Sequence, residues 1–218
     1  MLQNEHAIKE LMCDIGRRIW QRGFCAGNEG NHSVRLGTDR FLCTPTCLSK
    51  GFMQPGDIVT VNSQGERIED NPNGREPTSE FKLHLAIYAA RPDVQAVIHS
   101  HPPHATAFAI CDQPLPTGIH PEAEFFLGDV PSAPYATPST QAAADAVVSV
   151  LKPTTNTVLM ANHGSVTFSD SLINAYDKLE ILDAYCRLLI LGKQAGQIRP
   201  LTESQIRELR DLKAEMGW

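Results

Sequence analysis

The segment Val94-Gln95-Ala96-Val97-Ile98-His99 constrains this chain more than any other, because a short apolar run rich in β-branched residues reads as a buried strand. A strand buried on both faces calls for helical layers on both sides of a sheet. Its end delivers His99-Ser100-His101, with His104 close behind, so three of the eight histidines lie within six residues.

The remaining sequence supplies the layers. Residues 5–22 place Ile8, Leu11, Met12, Ile15, Ile19 and Trp20 close to helical spacing, and Gly23 follows as a stop. Val34-Arg35-Leu36, Phe41-Leu42-Cys43-Thr44 and Asp57-Ile58-Val59-Thr60-Val61 read as strands. A turn rich in backbone donors, Cys25 to Ser33, precedes the first, and a polar loop with Thr46, Ser49, Lys50 and Gly51 follows the second. Thr78 can cap a helix carrying Phe81, Leu85, Ile87 and Tyr88. Helices are also expected over residues 102–110, 139–151, 171–192 and 202–216, with a strand at Thr157-Val158-Leu159-Met160. The proline-punctuated stretch from Pro114 to Pro138 reads as short strands and loops. No repeat or break in composition divides the chain, so one α/β domain over residues 1–218 is the expectation.

At 42% hydrophobic and 20% charged residues, the chain can bury a substantial core. Nineteen Lys and Arg against twenty-five Asp and Glu leave a formal charge of −6, without the basic excess of a nucleic-acid binder. No stretch approaches the roughly 20 apolar residues that span a bilayer. Met1 to His6 lack a basic segment followed by an apolar one. These features point to a cytoplasmic protein with neither nucleic acid nor membrane as partner. Its six scattered cysteines read as reduced thiols.

In an extended strand His99 and His101 point to the same side, which is chelating geometry for a divalent transition metal, zinc by default. An H-x-H pair alone reads equally well as capping or surface histidines. His163 shifts that balance, since it follows the apolar strand Thr157–Met160 and so stands at another strand end. Glu80, in Pro77-Thr78-Ser79-Glu80 at the start of a helix, is the best candidate acid/base, with a capping-box role as the structural alternative. The hydroxyls and N–H groups of Thr78 and Ser79, the Gly30-Asn31 turn and the Thr46 loop together form a plausible phosphate cradle. Lys50 either adds charge there or is simply solvated.

Together these residues resemble the class II aldolase/adducin-like family. The likeness is carried, in order and spacing, by Gly27-Asn28-Glu29-Gly30-Asn31-His32-Ser33-Val34-Arg35, Thr44-Pro45-Thr46, Pro77-Thr78-Ser79-Glu80 with His84, Tyr88 and Arg91-Pro92, Ala96-Val97-Ile98-His99-Ser100-His101, Ala133-Pro134-Tyr135-Ala136-Thr137, and Asn162-His163-Gly164. The resemblance implies a three-layer α/β/α sandwich around a central mixed, largely antiparallel sheet. It also implies homotetramers with inter-subunit active sites and one Zn2+ per subunit. By that resemblance His99, His101 and His163 are the zinc ligands, and Glu80 is both fourth ligand and catalytic base. Gly30, Asn31, Thr46, Cys47, Thr78 and Ser79 surround the substrate phosphate.

The implied activity is reversible cleavage of a ketose 1-phosphate, such as L-fuculose 1-phosphate or a related deoxy-ketose phosphate, to dihydroxyacetone phosphate and a small aldehyde such as lactaldehyde. A methylthioribulose-phosphate dehydratase, a sugar-acid-phosphate decarboxylase and a non-catalytic adducin-like assembly module are the alternatives. Two departures from the family pattern stand out. Cys47-Leu48-Ser49-Lys50 replaces the usual glycine after Thr-Pro-Thr, and the tyrosines that serve the aldehyde side are missing near Ile119-His120 and near the C-terminus, where Pro121-Glu122 and Met216-Gly217-Trp218 stand. The negative overall charge repels a phosphorylated sugar, so zinc, helix N-termini and local donors must carry its binding.

Overall fold

The structure, a computed structural model, describes residues 5–111 and 113–216. Side-chain alternation along strand β1 (Asn31–Gly37) shows how the layers form. Ser33 turns to one side, onto His84 and Tyr88 of helix α2 (Phe81–Ala90). His32 turns to the other, where its Nε2–H donates to the Met12 carbonyl of α1 (Glu5–Gln21) at 2.9 Å.

The sheet has seven strands in the order β3-β2-β1-β4-β7-β6-β5. They are β2 (Arg40–Cys43), β3 (Val59–Val61), β4 (Ala96–Ser100), β5 (Ser132–Ala133), β6 (Thr157–Met160) and β7 (Gly164–Ser169), besides β1. All neighbours run antiparallel except β5 and β6, so the sheet is mixed and largely antiparallel. On one face Phe41, Val97, Val166 and Phe168 pack beneath α2 and α5 (Gln141–Ser149). On the other, Leu42, Ala96 and Ile98 pack beneath α1 and the long α6 (Leu172–Ala195). A third cluster joins Leu159 to α6, α3 (Pro103–Ile110) and α4 (Pro121–Phe126). The result is the expected helix–sheet–helix layering. The last helix, α7 (Glu203–Glu215), has no buried residue and rests on α4 through Arg210–Glu124. No helix among the described residues is long and apolar enough to cross a membrane.

Four expectations need correction. Residues 114–138 contain α4, because Pro121 starts a helix rather than breaking one: its missing N–H and fixed φ suit the first turn. β7 lies between β4 and β6, and its alternation of Val166 and Phe168 with Ser165 and Thr167 matches a sheet with different faces. α2 begins at Phe81, with Glu80 rather than Thr78 in the cap position, and Glu80 makes no capping hydrogen bond with its side chain. Lys50 is not solvated: it is 1% exposed, and its ammonium donates to the carbonyls of Asn28 and Leu48. Burial pushes its pKa down to about 8. The described cysteines are all free thiols.

Candidate metal centre and active site

Strand pairing aligns Asn31 of β1 with His99 of β4, and His99 with Val166 of β7. Directly paired residues share a face, so His99 belongs to the α2 side of the sheet. β4 ends at Ser100, and the His101 N–H donates to the Phe24 carbonyl at 2.9 Å, which fixes the chain as it leaves the sheet. His163 comes from the tight turn between β6 and β7, where Asn162 has φ 56° and the His163 N–H donates to Met160 O. The two strand ends proposed from sequence, those of β4 and β6, are brought together by β7, which forms a hairpin with β6 and pairs with β4, so that His163 at the hairpin turn lies beside His99.

Two glycines permit this approach. A Cβ on Gly30, which has φ +71°, would come within 3.1 Å of the His99 carbonyl. A Cβ on Gly164 would lie 2.5 Å from Cδ2 of His101 and 2.7 Å from the Ser100 carbonyl.

The three imidazoles converge, with ring centroids 4.6 to 5.0 Å apart. One ligand atom from each lies within 4.8 Å of the others, a grouping that could hold a metal ion. Hydrogen bonding fixes two of the three tautomers. His99 Nδ1 is 2.9 Å from the Ser165 carbonyl, which only accepts, so Nδ1 carries the proton and Nε2 a lone pair. His101 Nδ1 faces Glu29 Oε2 at 3.0 Å, which imposes the same tautomer. The two Nε2 atoms then present lone pairs to each other at 3.1 Å. Glu80 adds its carboxylate, with Oε2 3.4 Å from His99 Nε2 and Oε1 3.7 Å from His163 Nε2. The facing lone pairs of His99 and His101, with the Glu80 carboxylate beside them, repel one another until a cation occupies the centre, whereas His163 Nδ1 has no hydrogen-bond partner among the described residues and its tautomer is left free; the nitrogen and oxygen donors fit a divalent transition metal.

Burial, followed by the neighbouring histidines, drives His99 well below the ordinary imidazole pKa. Burial also lowers His163, so both are held neutral, as metal ligands must be. Burial would raise Glu29, but the Ala26 N–H and His101 outweigh it and hold the carboxyl low. Glu29 thus orients His101 from behind. The sequence reading gave it no role, although an acceptor for the outward nitrogen of an H-x-H pair was worth seeking in that turn.

The residues expected around a phosphate lie at the same end of the sheet. Thr44 pairs with His32, and Pro45 bridges to Pro77, which brings the Thr46 loop alongside Thr78 and Ser79. The N–H groups of Thr46 and Thr78 are spent on Glu76 O and Thr44 O, so their hydroxyls are what remains for an anion. Cys47 is exposed, with φ 55°, and its thiol is 3.7 Å from Thr46 Oγ1. Ser79 accepts a hydrogen bond from Ser139, which brings the loop before α5 to the rim. Asn31 is 4% exposed, and its side chain is bound to Glu80 and His84. A cleft of about 200 Å³, open to solvent and lined by Ala133, Pro134, Ala136, Ala143 and Met160, borders His163.

A convergent tris-imidazole and carboxylate cluster at one end of an α/β/α sheet is the kind of centre that could hold a metal ion, and comparison with known proteins specifies the family. The model of the Class II Aldolase and Adducin N-terminal domain matches residues 10–190. The chain belongs to that family. The 3-oxo-tetronate 4-phosphate decarboxylase of Haemophilus influenzae is 32% identical, covering 94% of this chain and 97% of its own. The L-fuculose phosphate aldolase of Methanococcus vannielii is 33% identical over 83% of this chain and 94% of its own. The crystal structure of YgbL from Escherichia coli superimposes with a TM-score of 0.85 at 31% identity, covering 94% of this chain and 99% of YgbL. An L-fuculose 1-phosphate aldolase structure gives 0.83 at 26%, covering 97% of both chains.

Proposed function

We propose that this chain is a single-domain, metal-dependent carbon–carbon lyase that decarboxylates a 3-oxo sugar-acid phosphate such as 3-oxo-tetronate 4-phosphate. The observation that carries the lyase reading is the convergence of the His99, His101 and His163 imidazoles beside Glu80. We take the three histidines as ligands of one Zn2+, with Glu80 as a fourth ligand when substrate is absent. The choice of decarboxylation over aldol cleavage, which reverses the order suggested by sequence, is supported by the decarboxylase from H. influenzae, whose likeness spans more of this chain than that of the aldolase from M. vannielii.

In a 3-oxo acid the C1–C2 bond breaks with its electron pair moving towards the C3 carbonyl. CO2 leaves, and the resulting enediolate takes a proton at C2 to become dihydroxyacetone phosphate. A bound divalent cation supplies Lewis-acid withdrawal of the charge developing on the C3 oxygen. Glu80, whose carboxylate lies beside His99 and His163, would deliver the proton. The hydroxyls of Thr46, Thr78 and Ser79, with the Gly30 turn and Cys47, would hold the phosphate.

Aldol cleavage of a ketose 1-phosphate leaves the same enediolate and is the second reading, favoured by the M. vannielii relative. It also requires proton transfer on the aldehyde side. There the family tyrosine is replaced by Pro121, at the start of α4, and the C-terminal counterpart falls at residues 216–218, of which 217 and 218 lie outside the described residues. Loss of CO2 needs no such group. With either reading we propose homotetramer assembly.

The test is to supply Zn2+-loaded protein with 3-oxo-tetronate 4-phosphate and, separately, with L-fuculose 1-phosphate, and to measure CO2 and dihydroxyacetone phosphate. CO2 with dihydroxyacetone phosphate from the first substrate is expected, with Glu80→Gln slower by about a hundredfold or more. Release from fuculose phosphate alone would transfer the assignment to the aldolase reading, and release from neither would reject both.

A further inference from the structure

β1 and α2 meet along a buried polar seam. Glu80, His84 and Tyr88 recur every fourth residue along one face of the helix, opposite Asn31 and Ser33, which share one face of the strand. The direction of each hydrogen bond follows from the one before it. A carboxylate only accepts, so Asn31 offers its amide nitrogen to Glu80 Oε2 at 2.8 Å. The Asn31 amide oxygen then receives His84 Nε2–H at 2.6 Å. That tautomer leaves a lone pair on His84 Nδ1, which accepts from the Ser33 hydroxyl at 2.7 Å. Ser33 Oγ accepts in turn from Tyr88 O–H at 2.8 Å.

Asn31, Ser33, His84 and Tyr88 are each no more than 4% exposed. Burial, then the nearby His99, depresses His84 to about 3, so the row stays neutral. Every member has its partner and only one orientation satisfies all of them, so the amide facing Glu80 cannot flip without breaking the row.

From this geometry we propose that His84 is a positioning residue. Acting through Asn31, it fixes the Glu80 carboxylate between His99 and His163, and Ser33 and Tyr88 lock its ring. The proposal rests on the role assigned to Glu80 in the proposed function.

Two measurements test it. In metal-free protein, urea midpoints are compared for Glu80→Ala, Ser33→Ala and the double variant. Among the described residues the side-chain hydrogen bonds that link Glu80 to Ser33 run through Asn31 and His84, so non-additive midpoint shifts are expected, and strict additivity overturns the row. In Co2+-loaded protein, the visible spectrum reports the ligand set. His84→Leu is expected to move the band as Glu80→Gln does and to lower kcat at least tenfold with KM little changed. His84→Gln, which can restore an N–H at the Nε2 position, is expected to return both towards wild type. A folded His84→Leu with the wild-type spectrum and kcat overturns the positioning role. Failure of the wild type to bind Co2+ rejects the metal reading instead, and the metal-free cycle then decides whether the row exists.

Discussion

Gly164 faces His101 across a space too small for a methyl group: a Cβ at residue 164 would lie 2.5 Å from the imidazole Cδ2, so any side chain there must displace the ring or the backbone. The Ser100 carbonyl, 2.7 Å from the same point, blocks the other way out. Residue 164 pairs with Met160 at the start of β7, so the backbone there cannot retreat without opening the hairpin.

Gly164→Ala should therefore push the His101 ring off its Glu29 partner. Zn2+ affinity is expected to fall by about 10- to 100-fold, the range seen when ligand orientation is lost, measured by competition with a chromophoric chelator. Affinity equal to wild type would mean that His101 is not a ligand or that its position does not matter.

His32 sets an acid limit on stability. Burial brings its pKa to about 4 from 6.5, and its Nδ1 is buried without a hydrogen-bond partner among the described residues. Between those values the unfolded chain binds the proton and the native chain does not. Stability is thus complete above pH 6.5 and declines as pH falls towards 4, by at most about 1.4 kcal/mol per pH unit. Urea unfolding of metal-free protein between pH 7 and 4.5 should show a shallower decline in His32→Phe than in wild type. Equal slopes would remove His32 as a cause.

Lys50 acts in the same sense, but in an alkaline window. Its folded pKa of about 8 lies below the ordinary 10.5, so the native state carries the cost of a buried charge at neutral pH, and that cost eases as pH rises from 8 to 10.5. The stability of wild type relative to Lys50→Met should increase across that range, by order of 1 kcal/mol per pH unit, in chemical denaturation at pH 7.5, 8.5 and 9.5. A difference independent of pH would show that the ammonium is not desolvated.

Much of this was legible in the sequence, for identifiable reasons. Apolar runs such as Ala96–Ile98 and Leu159–Met160 mark buried strands wherever they lie, and His99 with His101 inherits a common side from strand geometry. Lys50 was misjudged because its composition signals solvent, while its burial depends on two carbonyls from separate loops. Glu80 was legible as a carboxylate at a helix start, but its escape from capping depends on Asn31, far away in sequence. The pairing of β7 with both β4 and β6 is non-local, and no periodicity in one segment records its neighbours.

That pairing has a consequence for synthesis. Under the proposed ligand set, a nascent chain that has emerged just past β4 offers a metal only the two-point grip of His99 and His101, backed by the carboxylate of Glu80. The third imidazole arrives only when the β6–β7 hairpin folds onto β4. Under the same proposed ligand set, tight metal capture is thereby reserved for molecules whose sheet is already built, and loading becomes a checkpoint on folding rather than a step that precedes it.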